Sequence, residues 1–266
     1  MLKTKNTQQD IERKFAILET RLRRSPARRE WDSLPGISVY CILKLYGSWN
    51  KFLLFFEKPL NKIARYAVNG YYFHNIDKPD KAYWLGYIFG DGSCSGNHLS
   101  IKTGLKDKGH LEKLRIVLNT NKPIYKSQNY EAFEVYDSII VSDLISLGIQ
   151  KGIRKLKQED MLRGYEEHFI RGFFDAEGCI YGEKNLIRRR VDIANYSLDL
   201  LLYIKQVLEM NGISSKLKKD KHHLIISHKD NMIRLFNFLY VNSNDKIRLD
   251  RKFKIFNTTV REYINS

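Results

Sequence analysis

Two stretches of the sequence repeat one arrangement of small, aromatic and acidic residues. Residues 83–92 read YWLGYIFGDG, and residues 169–178 read FIRGFFDAEG. In the first stretch Gly86 and Gly90 are spaced so as to share one face of a helix, and in the second Gly172 and Ala176 have the same spacing. Two helices that carry such faces can approach until their backbones touch. The sequence therefore predicts a closely packed pair of helices.

An acidic residue follows the second small residue of each stretch, and a glycine follows the acid. Close packing of the two helices would place Asp91 and Glu177 side by side at the helix ends. Two such carboxylates repel each other and need a counter-charge, and their oxygens are ligands that Mg²⁺ prefers. Solvated acids at two helix C-termini would oppose both helix dipoles, so that alternative explains them poorly. We therefore predict a shared metal site, of the composition that serves metal-assisted phosphodiester hydrolysis.

The segments after each acid repeat as well. Both runs read as two strands, a helix, two further strands and a helix, and Ile140 and Ile226 follow Asp91 and Glu177 at the same interval. An α+β chain with two related αββαββα halves is therefore predicted, the first over residues 81–160 and the second over residues 161–266.

Composition points to a polyanionic partner. The 266 residues include 46 Lys and Arg against 30 Asp and Glu, a net charge of +16 with a pI near 9.6, which favours nucleic acid. No apolar run approaches the ~20 residues of a membrane span. An anionic membrane surface is the alternative polyanion, but no strongly basic amphipathic helix with an exposed Trp or Leu face supports it, so no membrane partner is expected. Cys41, Cys94 and Cys179 form no paired framework. We expect an intracellular protein of a bacterial or phage-infected cytoplasm or an organelle matrix, not a secreted one.

The first 75 residues hold 14 Lys and Arg against 6 Asp and Glu. Apolar residues recur at helical spacing through the segment DIERKFAILETRLRR, and breaks at Pro35-Gly36 and Gly47-Ser48 separate further short helices. This pattern predicts a helical, helix-turn-helix-like DNA-binding module over residues 1–56 and a linker over residues 57–80. A helical cap packed on the next domain is the alternative.

The two repeated stretches resemble the paired LAGLIDADG motif of homing endonucleases, and the resemblance extends over residues 81–260. Single-chain members with two repeats are the closest type. The stretch LPGISVYCILKLYGSWNKFL resembles the helix-turn-helix repeat that accompanies such enzymes. The resemblance implies two halves related by pseudo-two-fold symmetry, each presenting a saddle of antiparallel strands to the major groove of DNA.

The resemblance also implies roles for individual residues. Asp91 and Glu177 would carry the metal and the catalytic function, with Mg²⁺ or Mn²⁺ as cofactor and the carbonyl groups of Gly90 and Ala176 as further ligands. Asp175 keeps an acid that the family has at the position two residues earlier, and that acid is not a metal ligand there. Phe89 departs from the motif at the corresponding position of the first half.

Further site residues follow from the strands and basic runs. The family places a polar or basic residue on the strand after each motif, which predicts catalytic roles for Lys106 and Asn195. The segment RRRVDIANY alternates between two faces of a strand, so its arginines are candidates for DNA contact rather than for a solvated surface alone. The predicted DNA-binding residues are Arg28, Arg29, Lys102, Arg188, Arg190, Lys216, Lys218, Lys246 and Arg248.

Together these observations predict a monomeric, metal-dependent, site-specific DNA endonuclease that cuts both strands of a long asymmetric site and promotes intron or mobile-gene homing. A splicing maturase for a group I intron, with its own intron RNA as partner, would keep the same fold and basic surface. A non-cleaving DNA-binding regulator is the other alternative. The intact acid pair argues against loss of cleavage in either case.

Overall fold

The computed structural model describes residues 4–58, 66–107, 109–150, 152–157, 159–182 and 189–265. The chain divides into two compact units, residues 1–65 and residues 66–266. No helix in these described ranges is both long and apolar enough to cross a membrane.

The first unit is helical, as its sequence predicts. It contains helix α1 (Thr4–Leu22), a 3-10 turn (Arg28–Ser33), α2 (Val39–Tyr46) and α3 (Trp49–Phe55). Its core is aromatic: the Phe52 ring lies 5.7 Å from that of Phe15 and 5.3 Å from that of Trp31. Gly47 ends α2 with a φ of 78°, which favours glycine, and the Ser48 hydroxyl then accepts the Lys51 N–H at the start of α3. A sharp turn therefore separates the two short helices.

The second unit contains the two predicted halves. The first half comprises α4 (Pro79–Asp91), β1 (Gly92–Ser95), β2 (His98–Gly104), α5 (His110–Val117), β3 (Tyr125–Lys126), β4 (Tyr130–Tyr136) and α6 (Ser138–Leu147), followed by the short strands β5 (Ile149–Gln150) and β6 (Ile153–Arg154). The second comprises α7 (Glu166–Glu177), β7 (Gly178–Tyr181), β8 (Arg190–Ala194), α8 (Leu198–Met210), β9 (Lys216–Leu217), β10 (His223–Ser227) and α9 (Lys229–Tyr240), followed by α10 (Asp250–Ile264). The predicted α+β fold class and αββαββα order are confirmed.

Each half builds one antiparallel sheet, with strand orders β1-β2-β4-β3 and β7-β8-β10-β9. The registers correspond, because Gly92 pairs with Ile101 in the first sheet and Gly178 pairs with Ile193 in the second. Alternate residues along the central strands are buried against the helices, and the intervening residues form an outer face. Each sheet therefore has one face in the core and one face directed away from it.

The equal intervals to Ile140 and Ile226 do not mark equivalent positions. Ile140 lies in helix α6, whereas Ile226 lies in strand β10. Asp137 explains the difference, because its carboxylate accepts the backbone N–H groups of Ile139 and Ile140, both at 2.9 Å, and starts α6 there. Strand β4 therefore ends at Tyr136, before the position that corresponds in interval to Ile226.

The predicted linker over residues 57–80 needs correction at its C-terminal end. Tyr72, Phe73 and Ile76 are buried in the core of the second unit. The Tyr72 hydroxyl also donates to the Asp80 carboxylate at 2.8 Å. Residues 66–78 therefore pack as part of the second unit, and residues 59–65 lie outside the described ranges.

Helices α4 and α7 touch through their glycines, as the small-residue spacing predicts. A Cβ atom added to Gly86 would lie 2.0 Å from the Phe169 carbonyl oxygen, and one added to Gly172 would lie 1.9 Å from the Tyr83 carbonyl oxygen. Real Cβ atoms do not approach a backbone so closely. The backbones of the two helices are therefore in direct contact, and any side chain at either glycine would force them apart.

We expect Gly86→Ala to lower the free energy of unfolding by about 3 kcal/mol, because a backbone carbonyl cannot yield to the new methyl group without movement of the whole helix. Urea unfolding at equilibrium measures this. Gly104→Ala is the matched control, since no atom lies within 4 Å of the added carbon. If Gly86→Ala and Gly104→Ala were equally stable, the contact between the helices would not be as close as described.

Candidate active site

Asp91 and Glu177 are the last residues of α4 and α7, and the next residue of each begins a strand. Glycine makes this direct change possible. A Cβ atom on Gly92 would lie 2.4 Å from Ile88 Cγ2, and one on Gly178 would lie 2.2 Å from the Phe174 ring. The glycines allow each strand to follow its helix directly, with no intervening loop. The two acids therefore lie at the junction between the pair of helices and the two sheets.

The two carboxylates share one electrostatic environment. Crowding by protein atoms, followed by the negative charge of Glu177, raises the pKa of Asp91 to about 6, although its side chain keeps a solvent-exposed edge. Burial raises the pKa of the half-buried Glu177, and the amide of Asn195 offsets part of this by donating to Glu177 Oε1 at 3.2 Å. Ionising both acids is therefore unfavourable until a positive charge joins them.

The donor set fits an oxygen-ligated divalent cation. Among the described residues, no three His, Cys, Asp or Glu side chains cluster in a way that could hold a metal, so the protein supplies the acid pair alone. The carbonyl groups of Gly90 and Ala176, water and a phosphate would have to complete the coordination, as is usual for Mg²⁺. The Ala176 carbonyl is partly engaged, because Lys252 Nζ lies 3.4 Å from it.

The strand registers show which polar residues correspond in the two halves. Because Ile101 and Ile193 occupy equivalent positions, Thr103 is the counterpart of Asn195. The Tyr87 hydroxyl donates to Thr103 Oγ1 at 3.4 Å. Asn195 lies beside Glu177, to which its amide donates. Lys106 is not the counterpart of Asn195, because it lies beyond the end of β2 in an exposed 3-10 turn.

Two cations that the sequence motifs did not single out lie beneath the helix ends. Lys252 is buried, its Nζ donates to the Phe174 carbonyl at 2.9 Å, and burial lowers its pKa. Arg154 Nε donates to the Phe89 carbonyl at 3.0 Å, and another of its N–H groups donates to the Gly92 carbonyl. Both cations face the negative ends of the helix dipoles. The sequence signal for burial of Lys252 is its place among the apolar residues on one face of α10. That signal does not indicate which helix Lys252 contacts.

Asp175 serves the interior of the second unit. It is buried and accepts the Tyr83 hydroxyl at 2.9 Å, the Leu249 N–H at 2.7 Å and the Tyr240 hydroxyl at 3.2 Å. Burial raises its pKa to about 6. Its counterpart Phe89 is also buried. All these partners of Asp175 are structural groups, so this acid ties α7 to α4 and α9.

Two clefts occupy corresponding places in the two halves. One, of about 530 Å³, combines Arg154 and Lys155 at the end of the first half with residues 195–199. The other, of about 200 Å³, combines residues 106, 107, 109, 110 and 113 with residues 249–251. Arg251 bonds Asp107 at 2.6 Å across the second cleft. Each cleft thus joins the turn after the second strand of one half to the closing segment of the other.

The predicted DNA-binding residues lie in different settings. Lys102 and Arg190 are exposed on the outer faces of the sheets and lie over the rings of Tyr130 and Tyr181. Arg248 is half-buried over the Phe253 ring. Lys216 and Lys246 are exposed, Lys218 is half-buried, and Arg28 is exposed in the first unit. Arg188 and the side chain of Arg29 lie outside the described residues.

Among the comparisons with known proteins, the match to a family lies within the second half of the repeat. The family described as a LAGLIDADG-like domain matches residues 164–239, which confirms the predicted resemblance over that range. No curated protein matches the chain by sequence.

Solved structures also resemble the chain. Mesophilic variants of the homing endonuclease I-DmoI show 20% identity, cover 62% of this chain and 98% of their own, and have a TM-score of 0.45. The homing endonuclease I-GzeII in complex with its DNA target shows 13% identity, with coverages of 70% and 89% and a TM-score of 0.48. The meganuclease I-AabMI bound to uncleaved DNA shows 13% identity, with coverages of 71% and 92% and a TM-score of 0.49.

The raised pKa of Asp91 predicts a pH-dependent stability difference. The folded chain holds this carboxyl at a pKa of about 6, above the ordinary value of 3.8, so the free energy of unfolding falls as the pH rises between these values. Asp91→Asn removes the loss of stability that accompanies ionisation of this carboxyl. We expect the variant to unfold at a higher temperature than the wild type above pH 6 and at a similar one near pH 4. Thermal unfolding without divalent cations measures this.

Added Mg²⁺ should reduce the difference in unfolding temperature between Asp91→Asn and the wild type above pH 6, because a bound cation favours the ionised wild-type carboxylate. A wild type that is at least as stable as Asp91→Asn at about pH 7.5 without Mg²⁺ would show that this acid is not held under electrostatic strain.

Proposed function

We propose that the chain is a divalent-metal-dependent DNA endonuclease that hydrolyses one phosphodiester in each strand of a specific duplex site and thereby promotes homing of an intron or mobile gene. One observation carries the proposal: the glycine contact between α4 and α7 brings Asp91 and Glu177 into a single electrostatic environment. Each acid also directly precedes the first strand of its own sheet, so one centre is joined to two binding surfaces.

The chain's own groups prepare this centre for phosphodiester hydrolysis. A Mg²⁺ or Mn²⁺ ion, when bound, would supply activation of a water molecule and stabilisation of the departing oxygen. Asp91 and Glu177 hold the negative charge that retains the cation. The Asn195 amide donates to Glu177 and fixes the orientation of that carboxylate. The Lys252 ammonium adds a positive field at the position that an anionic phosphate would approach.

The outer faces of the two sheets are suited to the major groove. Lys102 on the first sheet and Arg190 on the second are exposed beside tyrosine rings, so each face combines cations with flat apolar surface. The faces are not identical, which suits a long asymmetric site read by one monomer. The basic helical unit of residues 1–65 would add a further DNA contact through residues such as Arg28.

We expect Asp91→Asn and Glu177→Gln each to lower the rate of double-strand cleavage by about a thousandfold. Each substitution removes a ligand charge but keeps the side-chain shape, and it removes repulsion of phosphate, so DNA affinity should stay the same or rise. Cleavage is measured on a site selected from randomised or genomic duplexes in Mg²⁺, and affinity is measured separately in Ca²⁺. Asp160→Asn, a like change at a surface acid that pairs with Arg163, is the control and should cut normally.

Loss of folding in Asp91→Asn or Glu177→Gln would show that these acids are structural. Wild-type binding without breaks, together with stimulated splicing of an intron RNA, would assign the chain as a maturase. Binding with neither activity would favour a DNA-binding regulator.

The charge of +16 predicts a strong salt dependence of binding. Each phosphate contact releases condensed counterions, so we expect DNA affinity to fall about 1,000-fold between about 50 and about 200 mM salt. Titration of a labelled target duplex at several salt concentrations measures the slope. A flat response would contradict a binding surface built on Lys and Arg.

A further inference from the structure

A carboxylate is buried within the otherwise basic outer face of the second sheet. Asp192 lies in the central strand β8, between residues 191 and 193, whose apolar side chains face the core. Its side chain is only 5% exposed, because the side chains of Lys218 and His223 cover it. Its Oδ2 accepts from Lys218 Nζ at 3.2 Å, and its Oδ1 lies 2.8 Å from His223 Nδ1.

The backbone reinforces this arrangement. The Lys218 N–H donates to the His223 carbonyl at 2.9 Å, so both residues that cover Asp192 are tied to each other as well as to the carboxylate. His223 fixes the position of one carboxylate oxygen, and the other oxygen then fixes the end of the Lys218 side chain. A lysine ammonium has three donors, so Lys218 can bond Asp192 and still present N–H groups outward.

A restrained lysine has a different use from a mobile one. A surface lysine that contacts phosphate acts as a point charge on a flexible stem and gains nothing from a fixed position. A carboxylate beside it repels phosphate and lowers non-specific affinity. Contact with a base edge, in contrast, requires a donor at a defined place in the groove, where guanine presents the O6 and N7 acceptors to lysine or arginine. The ion pair of Asp192 with Lys218 therefore fits base recognition better than phosphate binding.

We propose that Asp192 is a positioning residue for base recognition, which holds Lys218 so that its ammonium donates to the acceptor edge of a guanine in the half-site bound by the second sheet. The inference rests on the proposed function, because it assumes that this face binds duplex DNA. It adds a specific base class and the residue pair that reads it.

As far as the first sheet is described, it lacks an equivalent carboxylate–lysine pair, because Ser100 lies at the position equivalent to Asp192. Its central carboxylate, Glu134, lies 3.7 Å from His98 Nε2, whose ring stacks at 4.3 Å on Tyr136. Within the described part of the chain no lysine bonds Glu134. Lys122 lies instead over the Tyr136 ring at 4.6 Å. The guanine preference assigned to Asp192 and Lys218 should accordingly occur in one half-site only.

Binding-site profiling tests this without depending on cleavage. Full-length wild type, Asp192→Asn, Lys218→Ala and Lys216→Ala are each bound to a randomised duplex library in Ca²⁺, and the bound sequences are counted. Lys216 is the matched control, since it is an exposed lysine two residues before Lys218 that makes no ion pair among the described residues. Thermal unfolding and base preferences in the other half-site show that each variant is folded.

We expect the wild type to prefer guanine about tenfold at one position of one half-site, and Asp192→Asn and Lys218→Ala to lose that preference at the same position while the other preferences remain. Lys216→Ala should weaken binding to all sequences alike. A uniform loss of affinity in Lys218→Ala, with unchanged base preferences and a smaller salt slope, would identify a phosphate contact and overturn the inference alone. Effects of Asp192→Asn and Lys218→Ala at different positions would also overturn it. A wild type that binds no duplex would overturn the proposed function as well.

Discussion

Direct contact between the backbones of α4 and α7 is the constraint on which the rest of the second unit depends. At Gly86 and Gly172 each helix occupies the space that the other's side chains would need. The helices run into their sheets without an intervening loop, so the distance between the helices also sets the distance between the two sheets. A change at this contact would move the acids and the binding faces together.

The same contact creates an electrostatic cost. Two carboxylates meet at the ends of two helices whose dipoles are negative there, and burial raises the pKa of both. Lys252 donates to the Phe174 carbonyl and Arg154 to the Phe89 carbonyl, so both place positive charge at the negative ends of the helix dipoles. Asp175, two residues before Glu177, has its oxygens occupied by internal donors and does not compete for an external cation.

Several features could be predicted from sequence because they repeat or have a short period. The spacing of Gly172 and Ala176 predicts the helix contact, and alternating apolar residues predict the strands. Thr103 was not predictable as the counterpart of Asn195, because the loops differ in length and only the pairing of Gly92 with Ile101 fixes the register. Lys252 was not predictable as a neighbour of α7, because it lies far along the chain on a helix outside the repeat.

The sequence by itself determined the two halves, the small faces of their first helices and the acid at the end of each, since all of these depend on residues close together in the chain. Only the tertiary structure decided which groups surround the acids and that Asp192 lies beneath Lys218 and His223. These neighbours are brought together by strand register and helix packing, which depend on the whole core. A sequence records which cations are available, and the packed structure decides which carbonyl, carboxylate or open surface each one faces.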